Sequence, residues 1–274
     1  MIDLHTHSSV SDGTESPADL IASAARAGLD VVALTDHDST AGWAEAAAAA
    51  AFLGIEFVPG MELSTRFGVK SVHLLAYYPD PLNEALVDET DRIRQARLTR
   101  AETMVARLSE DFPISWHDVL AQTQPGTSVG RPHIADALIE AGVVESRADA
   151  FERMLHPQAG YYEPIYAPSP VDGVRLVRLA GGVPVLAHPA TRGRDNVLDA
   201  RYLDALVDAG LFGLEVEHRE NTEDGKAYLR EFAASRGLAM TGSSDYHGAG
   251  KPNRLGENVT SPEVFAAIRA AAGI

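Results

Sequence analysis

The chain has 274 residues, 39 acidic against 23 basic side chains, a formal charge of −16 and 45 % hydrophobic residues. That apolar content suffices for an ordinary globular core and excludes wholesale disorder, while the acid excess speaks against long nucleic acid, whose binding neutralises many phosphates with Lys and Arg. With no cysteine, disulfides, thiolate metal sites and cysteine nucleophiles are excluded too; a local cationic or metal-filled cleft for a small phosphorylated substrate stays open.

The start, Met1-Ile2-Asp3-Leu4-His5, turns polar within three residues, unlike a signal peptide. No apolar run approaches the roughly 20 residues of a membrane span. The expectation is a soluble protein with a cytoplasmic address.

Short apolar runs of strand length alternate with helical stretches. Residues 2–4 read as a first buried strand, followed by His5-Thr6-His7 and, in the same loop, Asp12. A helix over 17–27 opens on Ser16-Pro17, a cap and a first-turn proline. Strand 31–34 runs into Thr35-Asp36-His37-Asp38. The helix over 41–51 contains an alanine run at 46–51, a good helix former for close packing on a sheet. Strand 57–58 is closed by Gly60-Met61-Glu62, and strand 72–77 carries His73.

The alternation breaks between about Pro79 and Pro164. Residues 82–111 read as a long charged helix with Leu98, Ala101, Val105 and Leu108 as one apolar stripe, and shorter helical pieces follow at 116–122, 132–140 and 147–155. Alternation then resumes: helix 171–179, strand 183–187 ending on His188-Pro189, helix 203–209, strand 211–216, helix 227–235, strand 238–241 before Ser244-Asp245-Tyr246-His247, and helix 262–271. This pattern predicts an α/β fold with a mainly parallel sheet, open or closed into a barrel. Residues 1–78 and 165–274 form it, and residues 79–164 are a helical insertion.

Most of the histidines follow strands, at the rim where α/β folds place their active sites. His-x-His on a strand directs both imidazoles to one side. One such pair alone is a weak signal. Here His5, His7, Asp12, His37, Glu62, His73, His188, Asp245 and His247 share one predicted rim, and an acid-x-His pair at the far end of the chain repeats the spacing. Imidazole plus carboxylate without sulfur suits Zn, Mn or Fe. Six histidines and three carboxylates exceed the about four to six ligands of one ion, so two or three ions are implied.

The segments His5-Thr6-His7-Ser8, Leu34-Thr35-Asp36-His37-Asp38, Pro59-Gly60-Met61-Glu62, His188-Pro189 and Ser244-Asp245-Tyr246-His247 resemble the polymerase and histidinol phosphatase (PHP) superfamily over nearly the whole chain. The resemblance implies a distorted seven-stranded β/α barrel around a trinuclear metal site with every ligand position filled. The insertion and Gly130-Arg131-Pro132-His133 resemble the branch of nucleoside 3′,5′-bisphosphate phosphatases and related 5′→3′ exoribonucleases on short RNA.

By the same resemblance, His5, His7, Glu62 and Asp245 hold one ion. Glu62 bridges to a second, held by His73 and His188, and Asp12, His37 and His247 hold the third. Three divalent ions, manganese first with iron or zinc as alternatives, leave a local charge of about +3 against three carboxylates, which suits a phosphate. The implied reaction is phosphoester hydrolysis by a hydroxide bridging the first two ions, with Glu62 and Asp245 as the catalytic carboxylates that position it.

Outside this set, Arg131 and His133 read either as a phosphate clamp, with His133 able to protonate a leaving oxygen, or as an ordinary helix start. Arg97 and Arg100 flank the apolar stripe of the long helix, on a face that is either substrate-facing or solvated. Arg192 lies in the loop after His188 and is a candidate for a second phosphate. Asp36 and Asp38 flank a ligand and are expected to orient imidazoles. His218 is expected to be a nonligand, and His117 and His156 have no chemical context. Tyr161, Tyr162 and Tyr166 read as junction packing, with base stacking as the alternative.

The expected function is therefore a metal-dependent phosphatase of nucleotides, either nucleoside 3′,5′-bisphosphates or nucleoside monophosphates. The rivals are exonucleolytic trimming of short RNA, histidinol phosphate hydrolysis, and a noncatalytic metal-binding module. A binuclear amidohydrolase would share His-x-His and a late Asp but leave Asp12, His37 and His247 unused. The sequence leaves the oligomeric state open.

Overall fold

The structure is a computed structural model that describes residues 1–124, 126–191 and 193–274. Its seven strands stand in chain order around one sheet: β1 (Ile2–Asp3), β2 (Val31–Leu34), β3 (Glu56–Phe67), β4 (Lys70–Tyr77), β5 (Val183–Leu186), β6 (Gly213–Glu217) and β7 (Ala239–Gly242). Past their ends the first and last strands meet. The Asp245 N–H donates to the His5 carbonyl at 2.9 Å and the His7 N–H to that of Tyr246 at 2.8 Å, so the sheet is a nearly closed barrel.

Period-two alternation builds its two faces. Val31 and Ala33 pack inward with Ile2, Leu4, Val58, Leu75, Tyr77, Val183 and Val185. Val32 and Leu34 face outward onto Leu20, Ile21, Ala24 and Ala46, which belong to α1 (Pro17–Arg26) and α2 (Trp43–Leu53). Three further helices, α7 (Pro170–Leu179), α8 (Ala200–Asp208) and α9 (Glu223–Arg236), cover the other strands. From α10 (Pro262–Ala272), Phe265 and Ile268 join the inner cluster.

One strand departs from the parallel expectation. β4 is antiparallel to both β3 and β5. β3 runs on to Phe67, far beyond the predicted 57–58, and turns through Gly68-Val69 into β4. Gly68 has φ +59°, as two-residue hairpin loops require. Glu62 thus lies in mid-strand rather than in a closing loop. Because β4 runs backwards, His73 near its start reaches the rim that the other strands reach with their ends.

Between β4 and α7 the chain is helical: α3 (Glu84–Leu108), α4 (Trp116–Ala121), α5 (Arg131–Glu140) and α6 (Arg147–Ala150), the last continuing as a π-helical turn over Phe151–Leu155. The predicted stripe on α3 is buried at Ala101, Val105 and Leu108, with Met104 beside them, against Ile134, Leu138 and Leu155. Ile93 of the same helix packs instead with the barrel cluster of Met61, Leu63 and Leu74. One 25-residue helix therefore contributes to both cores.

Candidate metal centre

The rim residues converge because β1, β2 and β7 stop early and their continuations curl over the barrel mouth. Asp38, His188 and Asp245 have φ of +53°, +28° and +55°. Left-handed conformations of this kind cost about 1–3 kcal/mol each and persist where the surroundings enforce them. Here they aim the His188 and Asp245 side chains towards one cleft and turn Asp38 onto Ser64 and Arg97.

Glu62 is its centre. Oε2 lies 3.2 Å from His5 Nε2, 3.0 Å from His7 Nε2 and 3.3 Å from His37 Nδ1. Oε1 lies 2.7 Å from His73 Nδ1 and 3.1 Å from His188 Nε2. Asp245 Oδ1 stands 3.3–3.4 Å from ring nitrogens of His5, His7 and His247. Asp12 Oδ1 is 3.2 Å from His247 Nε2, and Oδ2 is 3.7 Å from His37 Nε2.

Burial alone would raise the Glu62 carboxyl, but the imidazoles of His37, His73 and His5 hold it well below its usual range. The same contest leaves Asp12 and Asp245 low: His247 and His37 act on the first, Lys251 and His247 on the second. The three carboxylates are therefore ionised. An anionic, imidazole-lined, buried cluster suits divalent cations of borderline softness.

Among the described residues, three sets of ligand atoms each lie within 4.8 Å of one another: His5, His7, Glu62 and Asp245; His7, Asp12 and His247; His37, Glu62 and His73. The first is the set that the family resemblance implies for one ion. The other two differ in membership, since His37 stands near both Glu62 and Asp12, and His188 enters through Glu62 alone. Among the described residues, buried His37 Nδ1 and His247 Nε2 have no hydrogen-bond partner, and Nε2 of His5 and of His7 face each other at 3.1 Å. Ring nitrogens left in this way fit metal ligation.

Behind the cluster stands a layer of residues, several of which motif reading missed. Glu215 on β6 is wholly buried and 3.0 Å from His5 Nδ1; an acid inside the apolar run Leu214-Glu215-Val216 is the signal that could have found it. Lys251 Nζ contacts Asp245 Oδ2 at 2.7 Å. Arg147 of α6 donates to the Asp12 carbonyl oxygen at 2.9 Å and forks onto Asp136 at 2.6 and 2.7 Å. His218 belongs here too: its Nδ1 accepts the Glu220 N–H at 3.1 Å, and Nε2 lies 3.5 Å from Asp245 Oδ2.

Asp36 and Asp38 do not touch imidazoles as expected. Asp36 accepts from the Ser8 N–H and the Ser8 and Ser11 hydroxyls, reaching His7 only through Ser11 Oγ, 3.3 Å from His7 Nδ1. Asp38 accepts from Ser64 and from Arg97 Nε at 2.9 Å. Both carboxylates are occupied in bracing the loops that carry the ligands.

The remaining candidates separate. Arg97 reaches the rim through Asp38. Arg131 donates to the Leu155 carbonyl at 2.9 Å and lies over the rings of Phe151 and Tyr162. His133 Nδ1 accepts the Gly130 N–H at 3.0 Å, closing the start of α5, and burial pushes its pKa down. Arg100 is buried. Arg192 lies outside the described residues. Tyr161 and Tyr162 pack on the helical core, and Tyr166 lies under Arg92 at 3.8 Å.

A model of the PHP domain matches residues 3–112. The chain is 36 % identical to a 3′,5′-nucleoside bisphosphate phosphatase of Chromobacterium violaceum, over 92 % of this chain and 89 % of the relative. It is 30 % identical to a 5′-3′ exoribonuclease of Haemophilus influenzae, over 89 % of each chain. A solved structure from Bifidobacterium adolescentis, described as a metal-dependent phosphoesterase, superposes with a TM-score of 0.96 at 45 % identity, covering 98 % of this chain and 96 % of that one.

Proposed function

The chain belongs to the PHP family of metal-dependent phosphoesterases, and on that premise we propose that it is a phosphatase of nucleotides, taking nucleoside 3′,5′-bisphosphates or nucleoside monophosphates. The observation that carries this reading is the pairing of two opposite surfaces. Glu62 and Asp245 line an anionic pocket with imidazoles on it, and Arg97 of α3, whose charge reaches His37, stands close enough to Arg100 for the two to act on each other, as does Arg131 of α5. The first surface suits cations and the second suits an anion with more than one charged group.

We assign three divalent ions, manganese first, to the ligands. His5, His7, Glu62 and Asp245 would hold one, Glu62 with His73 and His188 a second, and Asp12, His37 and His247 a third. When bound, such ions acidify water towards neutral pKa and neutralise phosphoryl oxygens during in-line displacement. Glu62, with one oxygen towards each of two groups of imidazoles, would set the spacing of two sites.

The chain's own residues would do the rest. His5 and His7 are fixed by Glu215 and Ser11, so their Nε2 atoms stay aimed at the reaction centre. We assign His133 to the leaving oxygen, and Arg131 and Arg192 to a second phosphate. Residues 79–164, as a cap over the barrel mouth, would exclude water and limit substrate length.

A panel of substrates with Mn(II) tests this: nucleoside 3′,5′-bisphosphates, monophosphates, histidinol phosphate, dinucleotides and a long single strand. Phosphate release from the first two, with little activity on the long strand, is the expected result. The similarity to the Haemophilus exoribonuclease favours one second reading, trimming of short RNA; dinucleotide cleavage faster than phosphate release would establish it instead. Phosphate release from histidinol phosphate alone would overturn both.

A further inference from the structure

Asp245 divides its two oxygens between two kinds of neighbour. Oδ1 stands 3.3–3.4 Å from ring nitrogens of His5, His7 and His247. Oδ2 has Lys251 Nζ at 2.7 Å and His218 Nε2 at 3.5 Å. The wholly buried His218 ring has its tautomer fixed, because Nδ1 accepts the Glu220 N–H at 3.1 Å. In the neutral ring the proton therefore sits on Nε2, which donates and has no lone pair for an ion. Two donors thus meet Oδ2, and neither is a ligand. Glu62 differs: Oε2 faces His5, His7 and His37, and Oε1 faces His73 and His188.

Lys251 is no loose surface lysine. Its loop is tied to the segment that carries Asp245, since buried Asn253 donates from Nδ2 to the Ser244 carbonyl at 2.7 Å. On the other side the Ala249 N–H donates to Thr14 Oγ1 at 2.8 Å. Holding one carboxylate oxygen bears on which ion the other can serve. Calcium takes about six to eight oxygen ligands, often both oxygens of a single carboxylate. A smaller ion among imidazoles is satisfied by about four to six ligands, one atom from each residue.

We propose that Lys251, with His218 beside it, holds Asp245 as a one-oxygen ligand and so makes the site of His5, His7, Glu62 and Asp245 discriminate against calcium. Lys251 is a positioning residue, acting through Asp245. Its removal has two effects that can be told apart. Loss of a nearby positive charge draws in divalent ions of either kind alike, whereas release of Oδ2 favours the ion that uses both oxygens. The ratio of the two affinities isolates the second effect. The inference rests on the metal assignment above and not on the choice of nucleotide.

The test loads the wild type, Lys251→Met and Lys251→Gln with Mn(II) and titrates each with Ca(II), following released Mn(II) by electron paramagnetic resonance and the fold by circular dichroism. In Lys251→Met the ratio of Ca(II) to Mn(II) that releases the first equivalent should fall about 10-fold, the lower end of the effect of partners behind metal ligands. Lys251→Gln keeps a donor for Oδ2 without the charge, and its ratio should fall less. An unchanged ratio in Lys251→Met would leave Lys251 a charge only, and an equal fall in both variants would leave the donor without a role; either overturns the proposal. Should Lys251→Met not fold, Lys251→Gln decides alone, by whether its ratio falls. A wild type that takes up no Mn(II) overturns the metal assignment and this inference together. One that hydrolyses no nucleotide while the ratios move as expected overturns the substrate reading alone.

Discussion

Glu215 Oε1 stands 3.0 Å from Nδ1 of His5, and both side chains are wholly buried. The second Glu215 oxygen accepts the backbone N–H of His188 at 2.8 Å, at a residue held in left-handed conformation. One carboxylate thus fixes the tautomer of one candidate ligand and the backbone of another. Carboxylates behind ligating histidines contribute about 10- to 100-fold in metal affinity. Glu215→Gln keeps the volume but has a single acceptor for two donors. Chelator competition should show metal affinity lowered by about that factor, and unchanged affinity would contradict the positioning role.

Glu62 is the most connected group at the rim, and its removal should act on turnover rather than on folding. Glu62→Gln leaves the packing volume intact but weakens the hold on five imidazoles. A loss in kcat of about 10²-fold or more is expected, the scale of a lost preorganised electrostatic contact. Circular dichroism and elemental analysis on the same sample separate this from unfolding. Near-normal turnover with full metal content would remove Glu62 from the mechanism.

Metal removal should destabilise the protein. Ions that bind only the folded chain stabilise it by mass action, about 4 kcal/mol at 1,000 times Kd. The buried carboxylates of Asp12, Glu62 and Asp245 lose their strongest partners on chelation. Gently purified protein should contain two to three equivalents of Mn, Fe or Zn, and EDTA should lower Tm. One equivalent or less after reconstitution would sink the trinuclear assignment.

Gly13 is required by a close approach. A Cβ at this position would lie 2.1 Å from the His7 carbonyl oxygen and 2.6 Å from its carbon, both backbone atoms that cannot swing aside. Gly13→Ala should cost about 1–3 kcal/mol by overpacking and displace Asp12 next to it. Chemical denaturation measures the first effect; a change under 0.5 kcal/mol, about the scale of an ordinary surface substitution, would show the loop to be more yielding.

Arg147 joins the helical segment to the barrel loop that carries Asp12. Its guanidinium forks onto Asp136 and donates to the Asp12 carbonyl, and it is 15 % exposed. Arg147→Ala should cost about 1.5–3 kcal/mol, the range for hydrogen bonds to charged groups, and weaken the metal held by Asp12 and His247 more than the others. Equal loss at every site, read by anomalous scattering, would mean a general destabilisation instead.

Much of this protein is local in origin and therefore legible in its sequence. The unbroken apolar run at 31–34 marks a strand buried on both faces, and Ser16-Pro17 caps its helix where expected. The spacing of His5-x-His7 and Asp245-x-His247 reads as two pairs that each face one way, although the structure has both past the ends of β1 and β7, with Asp245 at φ +55°. The break in alternation after Pro79 coincides with the helices α3 to α6. The absence of cysteine confined the ligand chemistry to nitrogen and oxygen.

What only the tertiary structure decided depends on residues far apart in the chain. Propensity does not distinguish a strand that ends at Val58 from one that continues through Glu62 to Phe67, because continuation is set by pairing with β4, whose direction follows from the turn at Gly68. Glu215 meets His5 across 210 positions, a contact that barrel closure creates and no local pattern encodes. The fate of each arginine was decided in the same way. Arg97 found Asp38, Arg131 found the Leu155 carbonyl, and Arg100, on the same helix as Arg97, was buried. Side-chain type sets what a group can bind; only the closed packing of distant elements determines which partners remain within reach.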